Sequence, residues 1–305
     1  MQTILGANGQ IAVELAKEIN AHYSKDLRLV SRNPKQVNGT DQLFSANLLD
    51  ASKTAQAVSG SSVVYLTVGL PLDTQTWIDQ FPPIMRNTID ACKKHRAKLV
   101  FFDNTYMYPQ NSNPLTEETA FAPVGPKGRV RAAITTMLLD EMKAGNIEAV
   151  ICRAPEFYGR DKTFSYTNTL LFDPIREHRT PRVLLRDDTL RTLIWSPDAS
   201  RATALIGNTS DAFNQTWHLP CDDNRRTYKE IIGIAEAVIG EQISYRILNK
   251  TTLKLVSFFK KPLREMKELL PRYEQDNLFI SDKFKKRFPR FDIKQYQEGI
   301  EDMLQ

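Results

Sequence analysis

The strongest constraint on this chain lies at its start, where T-I-L (3–5) runs into L-G-A-N-G-Q-I-A (5–12). An apolar strand that turns through two glycines into an amphipathic helix is the opening βα unit of a nucleotide-binding parallel sheet. Ile11, Leu15 and Ile19 share one stripe of that helix. Gly6 permits the tight turn, Gly9 lets backbone amides approach a pyrophosphate, and Ala12 is small enough to pack on the sheet. Asn8, Gln10 and Ile11 frame the same turn and join Gly6 and Gly9 as candidate cofactor-binding residues. A glycine turn with no ligand is the alternative reading of the pattern.

The alternation then repeats along the first half of the chain. Strands are expected at 27–31, 42–48, 61–68, 98–103 and 146–153. Between them lie helical patterns at 52–58 with Ser52 as cap, at 74–96 interrupted by Pro82 and Pro83, and at 127–143. Strands alternating with helices imply βαβ units and right-handed crossovers. The expectation is an α/β, Rossmann-type doubly wound parallel sheet, with residues 1–155 as an NADP-binding domain. After 155 the rhythm loosens. A helix at 196–207 with Ser196 as cap, a capping box at T-Y-K-E (227–230) and a lysine-rich amphipathic tail at 249–305 come next. Residues 156–305 are expected to form a smaller α/β substrate-binding lobe, interleaved with the last sheet elements.

The end of the second strand bears on the cofactor. An acid there would hold the adenosine 2′-hydroxyl of NAD, whereas L-V-S-R-N-P (29–34) offers Ser31 and Arg32 and no carboxylate. A guanidinium suits a 2′-phosphate, so NADP is favoured over NAD; a solvated strand-end arginine is the alternative. The net charge of +5 tolerates anionic ligands, but no interleaving of aromatic and basic residues points to nucleic acid. No apolar run reaches the roughly 18 residues of a membrane span, and M-Q-T-I-L-G-A-N-G lacks the pattern of a signal peptide. Cys92, Cys152 and Cys221 are odd in number and form no C-x-x-C pair, which implies reduced thiols, a cytoplasmic setting and no metal site.

In the order of its motifs the chain resembles the short-chain dehydrogenase/reductase superfamily, in its extended or atypical NAD(P)-dependent epimerase/dehydratase-like branch. Carrying the likeness are G-A-N-G-Q-I-A (6–12), S-A-N-L-L-D (45–50), V-V-Y-L-T-V-G-L-P (63–71), F-F-D-N-T-Y-M-Y-P (101–109), C-R-A-P-E-F-Y-G-R (152–160) and L-I-W-S-P-D-A-S-R-A (193–202). The resemblance implies that Asn47 and Leu48 lie by the adenine and that Thr67, Val68 and Gly69 border the cofactor. It also implies a small-molecule substrate between core and lobe, with Arg191 and Trp195 as candidates to line it. A homodimer is expected by analogy.

Active relatives carry Tyr-x-x-x-Lys on the helix that here begins P-V-G-P-K-G-R-V-R-A-A (123–133), and a Ser or Thr on the preceding strand. Counted from Tyr108, the hydroxyl position falls on Asn104, the tyrosine on Gly125 and the lysine on Arg129, and no tyrosine occurs between 109 and 157. Asn104 can donate a hydrogen bond to a carbonyl and Arg129 can keep a positive charge, but neither relays a proton usefully. The glycines and positive charge at this helix start would also suit an anion such as phosphate. Tyr106, leaving the strand near the expected nicotinamide, is the candidate proton donor, with aromatic packing as its alternative role. Tyr158 and Lys162 share the four-residue spacing by coincidence, in a loop. Two functions fit this pattern. One is an NADP(H)-dependent oxidoreductase or epimerase/dehydratase-like enzyme acting on a small carbonyl or sugar-like substrate through a non-canonical donor. The other is a catalytically inactive NADP(H)-binding sensor.

Overall fold

A computed structural model of the protein describes residues 1–160, 165–257 and 261–305. The short apolar runs of the first half form β1 (Gln2–Leu5), β2 (Leu27–Ser31), β3 (Gln42–Ser45), β4 (Val63–Leu66), β5 (Lys98–Asp103) and β6 (Ala149–Arg153). With the strand Gln215–His218 they make a seven-stranded sheet in the order 3-2-1-4-5-6 and then Gln215–His218, with every pairing parallel. Both faces are covered, which explains why β1, β4 and β6 read as buried runs rather than alternating patterns. This is a Rossmann-type doubly wound sheet with a smaller C-terminal lobe.

Helices α1 (Gln10–His22), α2 (Ala51–Val58), α3 (Thr74–His95) and α4 (Gly125–Lys143) make the crossovers. On one face α1 packs against the helix Ser196–Gly207; on the other α3 lies between α2 and α4. Three local expectations change. The α2 cap is Asp50, whose carboxylate accepts the Lys53 amide at 2.9 Å, not Ser52. Helix α3 runs unbroken through Pro82 and Pro83. Its inner face of Trp77, Phe81, Ile84, Met85 and Ile89 is buried, and that packing outweighs the backbone bonds the prolines cannot make. Ser196 is the first helical residue rather than a cap, and its hydroxyl accepts a bond from Gln10 Nε2 at 2.9 Å. The Thr227–Glu230 capping box forms as expected. Among the described residues no helix is long and apolar enough to cross a membrane.

Candidate functional site

The strand order reverses between β1 and β4, and ligands of open parallel sheets bind at such a point, outside the carboxyl ends of the strands. Gly6 sits there with φ +92°, and a Cβ on it would lie 2.9 Å from the Val68 backbone, so the turn admits glycine alone. Its amide and that of Ala7 bond to Val30 O at 2.9 and 3.1 Å, which pins the turn to β2. Gly9 is different: a Cβ would meet nothing closer than Gly6 O at 3.6 Å. The fold itself tolerates a side chain at 9, and glycine leaves open the space above the α1 N-terminus. Gly9 gives no side-chain cap, so the first amides of α1 are without one.

The other cofactor candidates line the same edge. Thr67 bonds Leu5 O through its amide (2.9 Å) and its hydroxyl (3.1 Å), which places Val68 against Gly6 and leaves Gly69 exposed. At the end of β2 the Ser31 hydroxyl is buried without a partner, while Arg32 next to it is exposed. Asn8 uses its side chain on the 33–35 loop, donating to Asn33 O at 2.8 Å and accepting from Lys35 N at 3.2 Å. Gln10 reaches the lobe through Ser196, and Ile11 packs on the core. Asn47 is exposed after β3, and Leu48 is buried with its carbonyl accepting from Asn87 at 2.9 Å.

Further along the edge, Asn104 follows β5 and its Oδ1 accepts the Tyr106 amide at 2.9 Å. Tyr106 is half-buried and stacks on Trp77 at 5.6 Å between centroids and 15° between planes. The Arg272 guanidinium from the lobe stands 5.4 Å from its ring. Burial pushes the Tyr106 phenol up to about 12, with Arg272 pulling the other way.

Arg129 is not brought to this place: it is exposed on α4, while Lys127 and Arg131 are 1 % and 4 % exposed. Two residues turn a helix by about 200°, so position 129 faces away from 127 and 131. Arg131 donates to Asp103 Oδ1 from Nε at 3.0 Å and again from Nη2. Arg153 and Thr135 complete the Asp103 carboxylate from the other side at 3.3 and 3.0 Å. Lys127 Nζ lies 2.7 Å from Glu265 Oε2 and 2.8 Å from Glu268 Oε1, and donates to Thr74 Oγ1 at 2.9 Å.

The anion at the start of α4 is thus a protein carboxylate. Val124 offers α4 no side-chain cap, and Glu268 Oε2 accepts the Lys127 amide at 3.0 Å. Glu265 does the same for α3, accepting the Thr74 amide at 2.9 Å. Burial raises the Glu265 carboxyl, but Lys127 and Thr74 hold it below the ordinary range overall. Gly125 has φ +81°, and a Cβ there would lie 2.2 Å from Glu268 Oε2, so a tyrosine at 125 is excluded twice over. Glu265, Glu268 and Arg272 were not among the sequence candidates.

Arg191 and Trp195 are buried in the lobe. The Arg191 guanidinium donates to Arg272 O at 2.6 Å and stands 4.6 Å from the Tyr273 ring; Trp195 packs on Tyr158 at 5.2 Å. Tyr158 is 1 % exposed, and Lys162 lies outside the described residues.

Comparison with known proteins agrees with the architecture. The chain is similar to UDP-glucuronic acid 4-epimerase from Bacillus cereus in complex with NAD, at 16 % identity and a TM-score of 0.78 over 100 % of this chain and 97 % of that one. It is similar to UDP-glucose 4-epimerase from Thermus thermophilus in complex with NAD, at 14 % identity and 0.77 over 100 % and 98 %. A third is UDP-N-acetylglucosamine 4-epimerase from Bacillus cereus, at 12 % identity and 0.78 over 99 % and 94 %. No curated protein matches in sequence. The model of the NAD-dependent epimerase/dehydratase family matches residues 3–218, most of the chain and nearly the whole seven-stranded sheet, and the chain belongs to that family.

Proposed function

We propose that the chain is an NADP(H)-dependent enzyme that reduces or epimerises a small carbonyl or sugar-like substrate, with Tyr106 as proton donor. The Gly6–Ile11 turn would hold the pyrophosphate, Thr67–Gly69 the nicotinamide side, Asn47 and Leu48 the adenine, and Ser31 and Arg32 the adenosine ribose and its phosphate. The buried, unpartnered Ser31 hydroxyl beside an exposed guanidinium fits such a group. Two of the similar structures are complexes with NAD, which makes NAD the competing cofactor; the absence of a carboxylate at the end of β2 favours NADP.

When bound, the dinucleotide supplies hydride chemistry. The chain supplies orientation and a proton. The observation that carries the reading is Tyr106 at the exit of β5, wedged between Trp77 and the lobe's Arg272. A phenol raised to about 12 by burial is protonated at neutral pH, the form that gives a proton to a carbonyl oxygen in reduction; in epimerisation the same oxygen would also have to take the proton of the substrate hydroxyl. Asn104 stands beside it as a hydrogen-bonding residue. A second reading, an NADP(H)-binding regulator without turnover, draws on one fact: α4 has no tyrosine, and Lys127 and Arg131 are both held in buried ion pairs.

The test is NADPH oxidation with a panel of aldehydes, ketones and enones, together with NMR analysis of UDP-sugars incubated with the protein and dinucleotide, because epimerisation consumes no net cofactor. Turnover abolished by Tyr106→Phe supports the enzyme; tight NADPH binding with no turnover on any compound supports the regulator.

A further inference from the structure

Tyr106 is held by its main chain as well as by its ring. At the end of β5 the buried Asp103 carboxylate has fixed partners on both oxygens. Oδ1 accepts from Arg131 and from the Asn104 amide at 2.8 Å; Oδ2 accepts from Arg153 and Thr135. A carboxylate gripped by two planar guanidiniums cannot turn, so the peptide that follows Asp103 has a fixed plane. The next bond continues the series: Asn104 Oδ1 accepts the Tyr106 amide at 2.9 Å. A side-chain oxygen bonded to the amide two residues on is an Asx turn, which bends the chain out of the sheet at a set angle. The Tyr108 amide, donating to Thr105 O at 3.1 Å, closes the bend.

The Tyr106 carbonyl is confined from the other side. Gly128 of α4 lies so close that a Cβ on it would stand 2.8 Å from Tyr106 O and 3.1 Å from Pro123 Cβ. Only a residue without a side chain allows this approach. Three residues further along the same helix, Arg131 reaches back to Asp103, where the bend begins. Helix α4 therefore grips the bend at both ends, once by a close backbone approach and once by a buried ion pair.

We propose that Asn104 and Gly128 are positioning residues for Tyr106. Asn104 fixes its amide, Gly128 lets α4 back its carbonyl, and Asp103 with Arg131 ties the two together. This deepens the proposed function and rests on it for the role of Tyr106 as proton donor. It gives Asn104 a role through Oδ1 and the Tyr106 backbone, not through a bond to the substrate.

The experiment uses the full chain with isotope-labelled tyrosine rings in NMR, the Tyr106 signals being identified by their loss in Tyr106→Phe. In wild type, stacking on Trp77 sets those signals apart from unfolded-chain positions. Asn104→Ala and Gly128→Ala are expected to move them toward unfolded-chain positions while the lobe tyrosines keep theirs. Asn104→Asp, which keeps the accepting oxygen, is expected to restore them. On a carbonyl compound that wild type turns over, kcat should fall about 10²-fold in Asn104→Ala, the effect of a misplacement of about 1 Å, with KM unchanged. Asn104→Asp should recover most of that loss. The proposal is overturned if either alanine variant leaves the Tyr106 signals at wild-type positions. It is overturned equally if Asn104→Asp loses as much as Asn104→Ala, which would make the side-chain amide nitrogen a donor to substrate. Where Asn104→Ala does not fold, Gly128→Ala and Asn104→Asp decide. Absence of turnover on every compound sinks the functional reading alone, and the tyrosine signals still judge the positioning.

Discussion

Replacing Lys127 by methionine keeps most of the side-chain volume and removes the cation that Glu265 and Glu268 share. Lys127 is 1 % exposed, and the two carboxylates are 13 % and 10 % exposed in a cleft that Arg264 and Lys267 also line, so water replaces the ammonium only in part. Removing one partner of a buried ion pair costs about 3–5 kcal/mol, because the remaining charge is left uncompensated. For a chain of this size that corresponds to a Tm lower by about 5–8 °C. The amide bonds from Thr74 and Lys127 to the same carboxylates keep some of the clip, so the starts of α3 and α4 should loosen before the rest unfolds. Urea denaturation of Lys127→Met, of Glu265→Gln/Glu268→Gln and of the triple variant separates the terms. The triple variant should recover part of the loss, since its two amides are neutral. A Lys127→Met protein within about 1 kcal/mol of wild type would refute the reasoning, because surface pairs have that magnitude.

Other outcomes come from the same geometry. Gly6→Ala should cost at least about 1–2 kcal/mol of backbone strain and displace Val68, weakening dinucleotide binding in calorimetry; a fully stable variant with unchanged binding would contradict the turn geometry. Arg131→Met should destabilise by about 1.5–3 kcal/mol, the loss of hydrogen bonds to the buried Asp103 carboxylate while Arg153 and Thr135 stay on it, whereas exposed Arg129→Ala should stay within about 0.5 kcal/mol in urea titration. His218 is held neutral, down to about 3, by burial and by the nearby positive charge of Arg153. The unfolded chain therefore takes up this proton first, so its stabilising contribution is complete above about pH 6.5 and is lost as pH falls toward 3, at about 1.4 kcal/mol per unit. His218→Gln should flatten the stability profile between pH 6 and 4 relative to wild type.

Much of the core is legible in the sequence because its signals are local. The runs at 27–31 and 98–103 become β2 and β5 residue for residue, and the glycine turn sits where the spacing puts it. The site beyond β5 is less legible. Counting from Tyr108 carries the alignment across a loop with no periodic signal, and it ends on Gly125 and Arg129. A usable signal does exist: the buried stripe of Ile134 and Leu138, extended back by helical steps, reaches Arg131 and Lys127. Nothing local marks Glu265 and Glu268 as caps of helices that start far earlier in the chain, nor Arg272 as the neighbour of Tyr106. Those contacts are set by how the lobe docks, which residue spacing does not encode.

The central claim is that the β1 turn holds a dinucleotide whose extra phosphate meets Arg32. Calorimetric titration of wild type and Arg32→Ala with NADPH and NADH tests it most directly. The account predicts that wild type binds NADPH more tightly than NADH, and that Arg32→Ala loses at least about ten-fold in NADPH affinity, the effect of a charged hydrogen bond of roughly 1.5–3 kcal/mol, while NADH binding is unchanged. Equal losses for both nucleotides would contradict the phosphate assignment, and no binding of either at millimolar concentration would contradict the site itself.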